Sequence, residues 1–421
     1  MPPDVADRLR HHYGQPDTGQ GGRRWLIALF SVIGAVLIGG GIILLLAHNW
    51  EELSRPVRAM ISFLPLIAAQ ALAAWVLWTN RTSTALREGV GTFLTLSIGI
   101  CISLISQTYN LGGEFGDFML VWVLLALPVA YLLGATVPAL LYLIGITIWA
   151  GAEWHHAWKA LAYWPLLAAA LPFLWMTARK NRFHPRPVLF CWVLVLTLPF
   201  GLGLSLDRAL DAHELWLIVY SAVAGVLFMA GNRWWREATA FSQRPFQNLS
   251  AFGLFGLALA LSFEDMWREA ANPSGWRQTA DFGGWGWFAW VVLWAWIIAS
   301  VAFWVDCLWR RDWTVLPLAT MPLVAFVGYA IVETGGAPMI AAVLFDVYLF
   351  ALGLGTLMAG VRERRLGVVN GGMLVLAALI LARFFDSDLG FVVRGVAFIV
   401  MGGLFLTTNL VLMKWKGAAA Q

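Results

Sequence analysis

Two ionisable residues stand inside long apolar stretches of the sequence, where a charge is expensive. Asp346 lies about eight residues into the apolar run 338–360, and Arg394 about five residues into 389–412. At 1.5 Å of rise per residue they sit about 12 Å and about 8 Å below the same end of their helices. A charge at such depth costs a few kcal/mol unless it finds a partner or water. The similar depth makes Asp346 and Arg394 natural partners, with Arg58 or Arg383 as alternatives for Asp346. As structure, the pair pins two helices together. As function, it is a proton- or substrate-linked gate.

Polar variety recurs where apolar runs end. His48, Asn49, Glu51, Glu52 and Arg55 fill one turn, and Gln107, Tyr109, Asn110, Glu114 and Asp117 fill another. Later turns on the same side supply Glu153, His155, His156, Glu333, Arg383, Asp386 and Asp388. The residues proposed for a binding or gating site are His48, Asn49, Glu51, Arg58, Gln107, Tyr109, Asn110, Asp346, Arg383, Asp386 and Arg394. Metal binding is not expected. Glu153-x-His155-His156 has ligand residue types, but adjacent histidines on a helix point about 100° apart. No Gly-x-Ser-x-Gly elbow or phosphate-cradling Gly-x-x-x-x-Gly-Lys loop is present, so no catalytic residue and no cofactor is assigned.

The elements that must hold these residues follow from composition. Of 421 residues, 60% are hydrophobic and 12% are charged, against about 25% charged in a soluble domain. Soluble, disordered and disulfide-stapled classes are thereby excluded. No clustered basic face supports nucleic-acid binding. Cys101, Cys191 and Cys307 fall in or beside apolar segments, as small hydrophobes would.

The expected class is an all-α polytopic membrane bundle of about 14 spans. These run over 25–47, 59–79, 89–107, 118–134, 136–152, 158–178, 187–205, 214–231, 248–263, 285–307, 313–331, 338–360, 366–383 and 389–412. Tails of 1–24 and 413–421 flank the helical domain of 25–412. The run 25–47 lacks a small-residue cleavage site and reads as a retained first span. With the N-terminus inside, inner segments hold 20 of the 28 Lys and Arg residues and outer segments seven, with Arg394 inside the last span. That asymmetry puts both termini in the cytoplasm and favours an even number of spans. Trp267, Trp276, Phe282 and Trp285 suit headgroup-level anchors. Gly353, Gly355, Gly402 and Gly403 suit close helix packing.

The stretch from Gly39-Gly40-Gly41 through His48-Asn49-Trp50-Glu51-Glu52-Leu53-Ser54-Arg55 to Arg58 resembles the opening of a bacterial membrane family catalogued as domain of unknown function 2157. Gln107-Thr108-Tyr109-Asn110, Gly113, Leu120, Trp122 and Pro128 are also similar to it. So are Arg383-Phe384-Phe385-Asp386, Arg394-Gly395 and Gly402-Gly403 near the C-terminus. The resemblance covers residues 25–134 and 366–412. It implies a multi-pass protein of the bacterial inner membrane and lends no mechanism.

Three functions fit these features. The first is a transporter or flippase that works without ATP and has its polar site at the extracytoplasmic helix ends. The second is a scaffold or sensor subunit with an envelope protein as partner. The third is a membrane-embedded enzyme acting on a lipid-linked substrate, with Glu51 and Glu52 in its first outer turn. The lipid bilayer is a partner in all three.

Overall fold

A computed structural model describes residues 52–206, 215–238, 240–270, 286–363 and 366–386, with isolated positions between 395 and 406. Every described regular element is helical. The helices are α1 (Arg55–Trp78), α2 (Thr84–Tyr109), α3 (Phe115–Leu133), α4 (Thr136–Ala152), α5 (Ala157–Ala160), α6 (Tyr163–Ala178), α7 (Pro185–Leu206) and α8 (Leu215–Trp234). They continue as α9 (Pro245–Ala260), α10 (Glu264–Ala270), α11 (Gly286–Trp309), α12 (Leu316–Ala319), α13 (Met321–Glu333), α14 (Pro338–Glu363) and α15 (Leu366–Asp386). The protein is an all-α polytopic membrane bundle.

Among the described residues, ten helical segments are long and apolar enough to cross a bilayer. Twelve of the 14 expected spans meet a helix, while 25–47 and most of 389–412 fall outside the described residues. Two expected spans are each built from two helices, α5 with α6 and α12 with α13. The second break falls at Thr320, where Pro322 removes a backbone donor and enforces a new start. α4 and α9 are short, at 17 and 16 residues, or about 26 Å and 24 Å of rise. α4 packs one face deeply into protein, with Tyr142, Leu143, Ile146 and Ala150 fully buried, while Ile144 and Ile148 on it stay exposed.

Helix ends carry recognisable stop signals. Asn80 and Asn110 follow α1 and α2 with φ of 48° and 49°. Gly134 caps α3 at φ 59°, its N–H returning to Ala130 and Tyr131. The left-handed conformation closes a helix and suits these two residue types.

The chain divides into two compact units, 1–71 with 99–112 and 72–98 with 113–421. In the smaller unit, Arg58 Nε donates to Leu53 O at 2.9 Å and Ser62 Oγ to Arg58 O at 2.8 Å. The larger unit holds two main apolar cores. One joins α3, α4, α6, α7, α8 and α11 around Tyr142, Tyr163, Phe190 and Leu202. The other joins α9, α10, α13, α14 and α15 around Trp267, Phe345 and Leu349. Trp267, expected at headgroup level, is instead buried, because its indole N–H donates to Leu261 O at 2.7 Å while its ring meets Phe345. Large apolar side chains such as Leu64, Phe200, Phe252, Trp290 and Ile298 are exposed, as contact with lipid requires.

Candidate functional site

The intramembrane carboxylate has a cationic partner. Arg383 Nε lies 3.1 Å from Asp346 Oδ1, joining α15 to α14. Their side chains are 28% and 27% exposed, while the two contacting atoms, Arg383 Nε and Asp346 Oδ1, are shielded from solvent. Arg383 was one of the alternative partners for Asp346; Arg394 lies outside the described residues.

The geometry follows from helix length. Asp346 sits two turns inside α14, whereas Arg383 is three residues from the end of α15. A long guanidinium side chain spans that difference while its stem stays among apolar groups. Arg383 Nη2 also donates to Ser262 O and, at 3.0 Å, to Ser262 Oγ. Ser262 is fully buried just beyond α9, where terminal carbonyls lack helical partners. The guanidinium lies 5.1 Å from the Phe263 ring centroid, in reach of a cation–π contact. One cation thus ties together α14, α15 and the end of α9. Ser262 gave no signal in the sequence: an apolar neighbourhood and a single hydroxyl read only as a helix end.

The other candidates separate into groups. Arg58, Gln107, Tyr109 and Asn110 belong to the smaller unit; Gln107, Tyr109 and Asn110 are exposed there and Arg58 is half-buried. Asp386 ends α15. His48, Asn49 and Glu51 lie outside the described residues, as does Arg394.

Two carboxylates have stronger local settings than their sequence positions suggested. Glu153, directly after α4, is 2% exposed, with Oε2 3.1 Å from His156 Nδ1 and 3.3 Å from Lys159 Nζ. Gly116 in the first turn of α3 makes room for it: a Cβ there would come within 2.2 Å of Glu153 Oε1. The carboxylate is therefore held by Lys159 in an ion pair, with His156 beside it. Glu88 of α2 accepts from the backbone N–H of Thr136 at 2.8 and 2.7 Å and of Val137 at 2.9 Å. It also meets Arg186 Nη2 at 3.1 Å. Ala135, the residue before α4, offers no side-chain cap, so Glu88 supplies one from another helix. Sequence reading missed this role because the two partners are 48 residues apart.

Residues 1–139 match the family model described as "Predicted membrane protein (DUF2157)". This agrees with the resemblance read from the N-terminal motifs, and the site at Asp346 and Arg383 lies beyond the matched segment. No curated protein and no solved structure matches the chain.

Proposed function

We propose that this is a multi-pass protein of the bacterial inner membrane that moves a small molecule or lipid-linked precursor without ATP. Its polar gate is the Asp346–Arg383 pair at the extracytoplasmic ends of α14 and α15. The remaining candidates, His48, Asn49, Glu51, Arg58, Gln107, Tyr109, Asn110, Asp386 and Arg394, are assigned to the same side by the Lys/Arg distribution. The observation that carries the reading is the carboxylate–guanidinium contact within apolar helices, made by shielded atoms of two side chains that are otherwise partly exposed. An ionisable residue within a span is by default a candidate for a functional site, with its partner to be named.

Arg383 has a second set of acceptors at Ser262. When Asp346 takes up a proton or a cationic group, the guanidinium keeps hydrogen-bond partners and is not left bare in the membrane. The contact can therefore open at lower cost than a sealed ion pair, for which removal of one partner leaves an uncompensated charge.

The test uses the full chain in proteoliposomes with two probes. One is a fluorescent phosphatidylglycerol whose outward movement is read by dithionite quenching; the other is a trapped pH-sensitive dye. Asp346→Asn keeps a folded, monodisperse protein and lowers flux of at least one probe about tenfold. Unchanged flux through a folded Asp346→Asn protein, or absence of flux in the wild type, overturns the gate.

A second reading has its own observation. Because Arg383 fastens three elements, the pair also suits a scaffold or sensor subunit whose polar contacts serve helix registry. In that case Asp346→Asn lowers thermal stability, no probe moves, and a gentle pull-down of the wild type returns a stoichiometric envelope partner.

A further inference from the structure

A cavity of about 490 Å³ opens in the larger unit where the α1–α2, α3–α4 and α6–α7 connections meet. Its wall includes Arg87, Lys180, Asn181, His184 and Arg186, and among the described residues no carboxylate lines it. In the sequence the Lys and Arg residues among these counted only toward the asymmetry that sets orientation. Folding brings three separate connections around one space, which no linear spacing announces.

The polar part of the wall is rich in donors, beside the apolar Leu133, Phe173, Met176 and Pro187. Asn181 Oδ1 accepts the Phe183 N–H at 2.9 Å, which leaves the amide NH₂ to donate. His184 Nδ1 accepts the Arg186 N–H at 3.3 Å, so the proton of the neutral ring is on Nε2, also a donor. Arg87 spends Nε on Arg81 O at 2.8 Å and keeps its two terminal nitrogens. Arg186 Nε is shielded from solvent and has no acceptor among the described residues. The neighbouring carboxylate, Glu88, is committed to the α4 amides and to Arg186. Lys180 and Arg87 make no ion pair among the described residues.

We infer that this cavity binds a phosphate-bearing anion. Three cations and two further donors around a space this size call for a ligand that is acceptor-only, carries more than one oxygen and has a group larger than a carboxylate. Sites of about 300–1,000 Å³ are of small-ligand size. Two sources share that chemistry: the headgroup of an anionic phospholipid, since basic pockets between spans recognise such headgroups, and a soluble phosphate ester. The inference does not depend on the gate at Asp346.

The test uses the purified full chain in a neutral detergent. One arm adds dioleoylphosphatidylglycerol against dioleoylphosphatidylcholine in mixed micelles, and the other adds inorganic phosphate and glycerol 3-phosphate without lipid. Binding is read by thermal shift and native mass spectrometry. Saturable binding of the anionic lipid alone assigns the headgroup, and saturable binding of glycerol 3-phosphate or inorganic phosphate that displaces lipid assigns a soluble ligand. Either supports the site if Arg87→Gln with Lys180→Gln weakens it at least tenfold per charge removed, about 1.4 kcal/mol each. Arg236→Gln with Arg362→Gln removes the same charge from exposed helix ends and leaves binding unchanged. Should the first double variant fail to fold, Arg87→Lys with Lys180→Arg retains binding. The site is overturned if no titrant saturates, or if both glutamine pairs weaken binding equally.

Discussion

Arg383 and Asp346 separate in energy because they do different numbers of jobs. Asp346→Asn removes one partly exposed ion pair, and exposure keeps that loss near 1 kcal/mol. Arg383→Met removes the ion pair and the bonds to Ser262 together, leaving a buried carbonyl at the end of α9 without its donor. Hydrogen bonds to charged groups contribute about 1.5–3 kcal/mol, so with the ion pair Arg383→Met should cost about 2.5–4 kcal/mol. Thermal unfolding in detergent should show the larger loss for Arg383→Met. The double variant should fall short of the sum by about 0.5–1 kcal/mol, since the shared contact is counted in both singles. Strict additivity would mean that the two side chains do not interact in solution. The depth of Asp346 was visible from its place in an apolar run, and so was its need for a partner. Which arginine answers it was not, because the choice depends on the stagger of α14 against α15 and on the reach of the side chain.

Helix against helix, the α14–α15 hairpin brings backbone against backbone. A Cβ added at Gly372 would meet the Leu357 backbone N at 2.5 Å and the Gly353 O at 2.8 Å. At Gly360 it would meet the Val369 N at 2.5 Å. Backbone atoms cannot turn aside as a side chain can, so Gly372→Ala forces the helices apart and should cost about 1–3 kcal/mol. Gly355 lies on the same helix as Gly360 but faces open space. Gly355→Ala should be neutral or stabilise by up to about 1 kcal/mol through helix propensity. Unfolding midpoints of the two variants settle the contrast, and equal loss at both positions would refute the crossing. Small residues in a span announce that a close approach exists, but the sequence-level pairing of Gly353 with Gly355 put both in the contact. Only Gly353 is there, against Leu376, since residues two apart point to different sides of a helix. The same limit hid Glu88, whose capping of α4 is a relation between helices. Helix starts and stops, by contrast, were legible at Gly134, where the glycine itself ends the helix and the chain turns at once.

For the molecule as a whole, alternation of the spans makes a claim about sides that the polar contacts can be set against. Arg182 meets Glu237 at 2.6 Å, Arg233 meets Asp306 at 2.8 Å and Arg236 meets Asp312 at 3.6 Å. Each of these joins two segments that the Lys/Arg distribution assigns to the cytoplasm. Ser262 and Arg383, assigned to the other side, likewise meet each other. An odd number of missed spans between such partners would place them across the bilayer from one another. Orientation can be tested with single cysteines, because Cys101, Cys191 and Cys307 are all buried and give little background. Ser83→Cys and Trp313→Cys should react with a membrane-impermeant maleimide only in inside-out vesicles. Leu111→Cys and Thr334→Cys, at exposed outer turns, should react in intact spheroplasts. Labelling of Ser83→Cys and Leu111→Cys from one side would break the alternation at α2. Reversal of all four would keep the alternation but put both termini outside. The cationic cavity would then face the periplasm, and the Asp346–Arg383 pair would lie on the cytoplasmic face, where it could not serve as an extracytoplasmic gate.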